Sequence, residues 1–254
     1  MYLYIYDEFI QDKRFEKDIL QIENRLTDLG IAGKVARLAL FRDPVEMIRD
    51  EIRRGVGTIV AVGGDQTVRK VLDVVSEGHA TLGLIPIGAP SALGQMFGIP
   101  AGLAACDVIS ARIVETLDLG MVNGRRFLNG LRVENFQAEL VCDGFRITPS
   151  APSELEIVNL GAGTRPAEGF NADPCDGCLE AVLRAPLPAG WNVFRRGRTA
   201  TSVIPAPSFA LRSAEPMSLE ADGETLTATR FDISVEACCF RVITGRKRQF
   251  GNAS

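Results

Sequence analysis

Thr58-Ile59-Val60-Ala61-Val62-Gly63-Gly64-Asp65-Gln66-Thr67 carries the most structural information in this chain. Thr58 to Val62 is almost wholly apolar. A strand reads this way when helices cover both faces of a parallel sheet. Two glycines and an acid follow, and then Val68, Val71, Leu72 and Val75 fall at helical spacing until Gly78 closes the helix. Such a strand–turn–helix offers a close backbone approach at the glycines and unpaired N–H groups at the helix start, which together suit an anion such as phosphate. The same residues also have a plainer explanation, in which Gly-Gly makes the turn and Asp65 caps the helix.

The neighbouring residues extend the pattern in both directions. Upstream, Tyr2 to Tyr6 is a short apolar strand, and Phe15, Ile19, Ile22, Leu26 and Leu29 form a helical stripe that ends at Gly30. Lys34 to Leu40 is a second strand. Asp43-Pro44 places an N-cap and an N1 proline before the apolar face Val45, Ile48 and Ile52. Downstream, Thr81 to Ile87 is a fourth strand, followed by short helices over 91–97 and 102–112. This alternation predicts a parallel sheet with helices on both faces. From about Glu115 the text changes to short β-rich runs broken by Gly, Pro, Asn and Asp, among them Phe127 to Val133, Leu179 to Leu183 and Cys239 to Ile243. The expected fold is therefore α/β, a Rossmann-like parallel domain over 1–115 followed by an antiparallel β-sandwich over 116–246, with a mobile tail over 247–254.

Composition narrows the function. Lys plus Arg is 28 and Asp plus Glu is 32, a net charge of −4, which argues against a nucleic-acid binder. A single histidine, His79, nearly removes His-based triads and multi-His metal sites. Of six cysteines only Cys175 and Cys178 have CxxC spacing, too little for a zinc pair of such motifs. The Asp-Gly turn between them accounts for that segment, with a redox or metal pair as the alternative. Cys238-Cys239 reads as strand packing. The residues from Ala80 to Cys106 lack charge, but Pro86, Pro90, Pro100 and five glycines break any membrane span. No signal peptide opens the chain, so a cytoplasmic protein is expected. Arg195-Arg196-x-Arg198 and Arg246-Lys247-Arg248 read as solvated charge, with anionic lipid headgroups as the alternative. Edge strands in the second domain leave homodimerisation open. There is no P-loop, no GxGxxG fingerprint and no GxSxG elbow.

Three segments together resemble the diacylglycerol kinase catalytic family, relatives in fold of NAD kinases and sphingosine kinases. Gly63-Gly64-Asp65-Gln66-Thr67 is similar to that family's GGDGT motif. Ile85 to Pro100 resembles its P-x-G-T-x-N-D-F-A-R-x-x-G-I-P block in frame. Asp222-Gly223-Glu224 resembles its late D-G-E. Leu117 to Asn129 is similar to its D-x-G-x-V-N-G-x-x-F-x-N crossover, and Pro174 to Leu179 to its P-x-D-G-x-L turn.

The resemblance implies an ATP- and Mg²⁺-dependent kinase acting on diacylglycerol or a related lipid alcohol, with its site in the cleft between domains and at most peripheral contact with the inner membrane surface. It marks Asp65 and Glu224 as catalytic and Asp65 and Asp222 as metal contacts. It marks Gly63, Gly64, Gln66, Thr67, Gly88 and Ser91 for the nucleotide. The chain departs from the pattern at several of these places. Gln66 stands where the family has Gly, Ser91-Ala92 where it has Asn-Asp, and Gln95 where it has Arg. The N-terminal Asn-Pro-x-Ser/Ala-Gly signature is replaced by Tyr6-Asp7-Glu8-Phe9. A catalytically inactive nucleotide- or lipid-binding descendant, or a kinase acting on a non-lipid alcohol, are the alternatives these departures raise.

Overall fold

The computed structural model describes residues 1–38, 43–162, 172–186 and 199–250. Arg195, Arg196, Arg198 and the end of the expected strand over 34–40 lie outside them. The chain divides into two compact units, Met1–Leu117 with Cys239–Ser254, and Asp118–Cys238.

The first unit is built on β1 (Tyr2–Tyr6), β2 (Lys34–Arg37), β3 (Thr58–Gly63) and β4 (Thr81–Pro86). All pair in parallel in the order β2-β1-β3-β4. Every residue of β3 and β4 is buried, which is why both read as unbroken apolar runs. The connecting helices are α1 (Glu16–Asp28), α2 (Pro44–Arg53) and α3 (Asp65–Glu77). They are followed by α4 (Ala92–Met96) and α5 (Ala105–Ala111). Asp43 caps α2 by accepting from the Glu46 N–H at 3.0 Å, with Pro44 at the first helical position. The expected single helix over 102–112 is a 3₁₀ turn, Gly102–Ala104, and then α5. No helix among the described residues is long and apolar enough to cross a membrane.

Strand order fixes the topological switch point, where open α/β sheets generally take their ligands. The chain leaves β1 through α1 toward β2 on one side, and leaves β3 through α3 toward β4 on the other. Right-handed crossovers running in opposite directions put α1 and α3 on opposite faces and open a crevice between the carboxyl ends of β1 and β3. Asp7 follows β1 at that crevice, and Gly63-Gly64 end β3 there.

The second unit is antiparallel throughout. Its strands are the end of β5 (Ile113–Val122), β6 (Arg125–Phe127), β7 (Gly130–Phe136), β8 (Glu139–Cys142) and β9 (Phe145–Ile147). β10 (Ser153–Val158), β11 (Leu179–Pro186), β12 (Thr199–Ala206), β13 (Ser208–Ala221) and most of β14 (Glu224–Thr244) complete it. One apolar core, with Phe127, Phe136, Phe209 and Phe231 among its largest side chains, holds them together. Two hairpins turn on Asn123-Gly124 and Asp222-Gly223, each with both residues at positive φ. That is the backbone twist a two-residue hairpin requires and the reason for Asn-Gly and Asp-Gly.

Two sequence expectations need correction. The last strand is not wholly part of the second domain, because the stretch from Cys239 onward belongs to the first unit, where Arg241 and Val242 pair in parallel with Thr81 and Leu82 of β4. The change falls at Cys238, which is exposed at φ +50 and so is not ordinary strand packing. The expected tail is also anchored as far as Phe250. The Gly245 N–H donates to the Phe97 carbonyl at 2.8 Å, and the Gln249 N–H to the Met96 carbonyl at 2.8 Å. The Phe250 ring, buried, meets Phe97 edge-on at 6.1 Å. Gly98 must stay bare there, since a Cβ would lie 2.6 Å from the Arg248 nitrogen. Phe250→Ala is expected to destabilise the protein by about 3 kcal/mol, the scale of a buried aromatic truncation, read as a lowered urea midpoint.

Candidate active site at the strand switch point

The turn after β3 is closed from within. Gly63 lies at φ +157, and a Cβ on it would stand 2.2 Å from the Thr67 hydroxyl oxygen and 3.1 Å from the Asp7 Cβ. Glycine is required here for close packing. Thr67, expected at the phosphates, is fully buried and turns its hydroxyl inward, donating to Asp7 Oδ2 at 2.6 Å and accepting from the Gly64 N–H at 3.1 Å. Gly64 differs from Gly63, because nothing lies within 4 Å of where its Cβ would be. The exposed surface of the turn is therefore Gly64, the first turn of α3 and the exposed Gln66. The N–H groups of Asp65 and Gln66 open a 13-residue helix, where a helix leaves donors over.

Asp7 organises this corner, and the sequence reading missed it. The residue is only 5% exposed. It accepts from the Glu8 N–H at 2.6 Å and from Lys70 Nζ at 3.2 and 3.4 Å, besides Thr67. Burial alone would raise its pKa. The hydrogen bonds from Thr67, Lys70 and the Glu8 N–H, with the charge of Lys70, outweigh it and hold the carboxyl below its ordinary range. The available signal was an acid directly after an apolar strand at the switch point.

Asp65 does not cap its own helix. Gly64 is the N-cap and Asp65 the first helical residue. Its carboxylate reaches the start of α4, where Oδ1 accepts the Ser91 hydroxyl at 2.5 Å and Oδ2 accepts the Ala92 and Leu93 N–H groups at 3.0 and 3.4 Å. Ser91 in turn caps α4, accepting from the Gly94 N–H at 2.7 Å. Gly88, exposed at φ +90, borders the same turn, since the adjacent Ile87 N–H donates to the Gly63 carbonyl at 3.0 Å. The structure thus brings Gly63, Gly64, Asp65, Gln66, Thr67, Gly88 and Ser91 to one sheet edge and adds Asp7 and Lys70.

The second unit's motif residues have other work. Asp222 accepts three backbone N–H groups, from Leu128 at 2.7 Å and from Asn129 and Gly130 at 3.0 Å. The expected metal contact is thus an organiser of the β6–β7 connection, with both oxygens committed to the backbone. Glu224, half exposed, lies 3.3 Å from Arg125. Asp118 is fully buried and joins the Gly177 and Cys238 N–H groups, each at 2.7 Å. Among the described residues no group of three or more His, Cys, Asp or Glu could hold a metal. The Cys178 thiol is pushed up by burial and by Asp176, Glu180 and Asp118, which disfavours the thiolate that redox or metal chemistry needs. Two open cavities of about 880 and 800 Å³ lie in this unit, and neither is lined by Asp222 or Glu224. The first-unit corner offers helix-start N–H donors of the kind that receive an anion, and a magnesium ion held on a phosphate would need few protein ligands there.

Two titrations test these environments. Asp7→Asn is expected to cost about 2 kcal/mol at neutral pH, from charged hydrogen bonds lost. A carboxyl whose folded pKa is depressed stabilises the fold above its unfolded pKa of 3.8. The advantage of the wild type should therefore vanish as pH falls through the still lower folded value, in urea midpoints compared across pH. Glu180 behaves oppositely. Its carboxyl is pushed up to about 8 by burial and then by Asp176 and Asp173, and one oxygen has no partner. The unfolded chain loses this proton at 4.5 while the folded chain keeps it, so stability falls as pH rises from 4.5 to about 8. Glu180→Gln should match the wild type near pH 4 and exceed it at pH 8.

Comparison with known proteins accords with this geometry. Residues 2–122 match the family described as the diacylglycerol kinase catalytic domain. The protein named "Probable lipid kinase YegS" of Salmonella typhimurium is 34% identical over 256 residues, covering 83% of this chain and 85% of that protein. A "Probable lipid kinase YegS-like" of Pseudomonas aeruginosa is 34% identical over 122 residues, and "Diacylglycerol kinase" of Bacillus subtilis 27% over 119. Those two alignments span only 38% and 39% of the relatives' length. The crystal structure of a diacylglycerol kinase from Bacillus anthracis shares the fold, with a TM-score of 0.76 at 19% identity and 96% of each chain covered. The chain belongs to the diacylglycerol kinase catalytic-domain family.

Proposed function

We propose that the protein is an ATP-dependent kinase that transfers the γ-phosphate to a hydroxyl of diacylglycerol or a related lipid alcohol. One observation carries the reading. At the switch point of a parallel sheet, the part-exposed Asp65 carboxylate already accepts a hydroxyl proton donor, Ser91, at 2.5 Å. An acceptor alcohol presents the same group. As its oxygen bonds to the γ-phosphorus and the bond to the ADP leaving group breaks, Asp65 takes the hydroxyl proton. Gly64 and the first-turn N–H groups of α3 receive the phosphates, with the charge of Lys70 nearby. Bound magnesium would supply charge neutralisation on those phosphates.

A second reading has its own support. Both oxygens of Asp65 are engaged by Ser91 and α4, and the family's Asn-Asp pair is Ser91-Ala92, which favours a descendant that binds nucleotide or lipid without transfer. Labelled ATP, Mg²⁺ and diacylglycerol in mixed micelles separate the two. The kinase reading expects labelled product and a loss of about a thousandfold in Asp65→Asn, the middle of the range for removing a general base, with circular dichroism unchanged. Undiminished turnover in that variant would remove Asp65 from the mechanism. Nucleotide binding with no product from lipid or non-lipid alcohols would establish the second reading.

A further inference from the structure

The segment that replaces the family signature after β1 does something specific in this fold. From Asp7 to Phe15 the chain makes two 3₁₀ turns, Glu8–Gln11 and Lys13–Phe15. Asp7 caps the first through the Glu8 N–H at 2.6 Å, and Asp12 caps the second through the Arg14 N–H at 3.0 Å. Two caps make a short, fixed loop. It presents Phe9, which is 38% exposed although its neighbours Tyr6 and Ile10 are buried.

Two contacts hold the ring in place. Phe15 meets it edge-on, with centroids 5.6 Å apart and planes at 72°, and the Arg14 guanidinium lies 4.7 Å over the Phe15 ring. On another side lies the Gly88 backbone. A Cβ there would stand 3.1 Å from Phe9 Cε2, so a bare residue gives the ring its seat. Gly88 is one residue from Ile87, which is bonded to Gly63, and Asp7 lies two residues before Phe9. The ring therefore borders the glycine turn on the exposed carboxyl edge of the sheet. Gly88, Ala89 and Pro90 beside it are also exposed and carry no charge.

We infer that Phe9 is the stacking platform for the purine base of the donor nucleotide. This rests on the proposal that the corner at Gly64 and Asp65 receives the nucleotide's phosphates. A flat, immobilised aromatic ring with solvent access offers a base dispersion and π contact without ordering cost, because the loop is already fixed.

Calorimetry with two ligands tests it. Mg·ATP carries a base, whereas Mg·tripolyphosphate has the phosphates alone. Phe9→Ala is expected to weaken Mg·ATP at least tenfold and to leave Mg·tripolyphosphate within twofold, and Phe9→Tyr should restore ATP affinity. In Phe9→Trp, Mg·ATP should quench indole emission beyond any change in the wild type, and tripolyphosphate should not. Equal loss of both ligands in Phe9→Ala, or unchanged ATP affinity where the wild type binds ATP, overturns the platform and leaves the nucleotide reading standing. A wild type that binds tripolyphosphate as tightly as ATP also overturns it. Binding of neither ligand overturns the nucleotide reading and the platform with it.

Discussion

The hydrogen bond from the Thr67 hydroxyl to the buried Asp7 carboxylate is the constraint on which the rest of the first unit's working edge depends. It ties the end of β1 to the start of α3 across the switch point. A buried carboxylate is tolerated only when its oxygens are satisfied, and here a hydroxyl, an ammonium and a backbone N–H do so. Because Thr67 must come this close, Gly63 can carry no side chain. Because Thr67 is consumed inside, the outward surface of the turn passes to Gly64 and the helix start. The Gly-Gly pair thus has two distinct duties, one steric and facing inward, one open and facing solvent.

A second chain of dependence runs from the other end. α4 is only five residues long and could not persist alone. Its start is held by the Ser91 cap and by the Asp65 carboxylate, its end by the Gly245 to Phe250 segment on Phe97. The carboxylate that the kinase reading needs is therefore oriented by a helix that is itself clamped by the chain terminus.

The sequence made the architecture legible where one physical cause dominated. β3 and β4 are buried on both faces, so their apolar runs could mean little else, and Asp43-Pro44 marked the start of α2 by cap and ring together. The expected boundary failed at β14 because nothing in local composition distinguishes a strand that pairs antiparallel with β13 from one that pairs in parallel with β4. Only the long-range partner differs. The tail misled for a similar reason. Arg246-Lys247-Arg248 has the composition of a solvated end, whereas its anchor is Phe250, a single residue whose partner Phe97 lies far back in the sequence. The motif singled out Gly63, Gly64, Asp65 and Thr67, but the inward turn of Thr67 could not be read without Asp7. Asp7 itself belongs to no pattern, only to a place at the end of a strand.

The aspartates at these turns are better distinguished by what they hold than by where they stand. Asp222 and Asp118 both commit their oxygens to backbone N–H groups, those of Leu128, Asn129 and Gly130 in the first case and of Gly177 and Cys238 in the second. Asp7 holds a hydroxyl, but it is buried and its neighbour is a paired ammonium, so no acceptor could approach it. Asp65 alone of these four combines partial exposure with a bound hydroxyl. A general base must meet a hydroxyl within hydrogen-bond reach and must be open to the substrate that bears it. Among these acids Asp65 meets that pair of conditions, which is what the proposed kinase reading rests on, and the shared GGD text alone could not supply it.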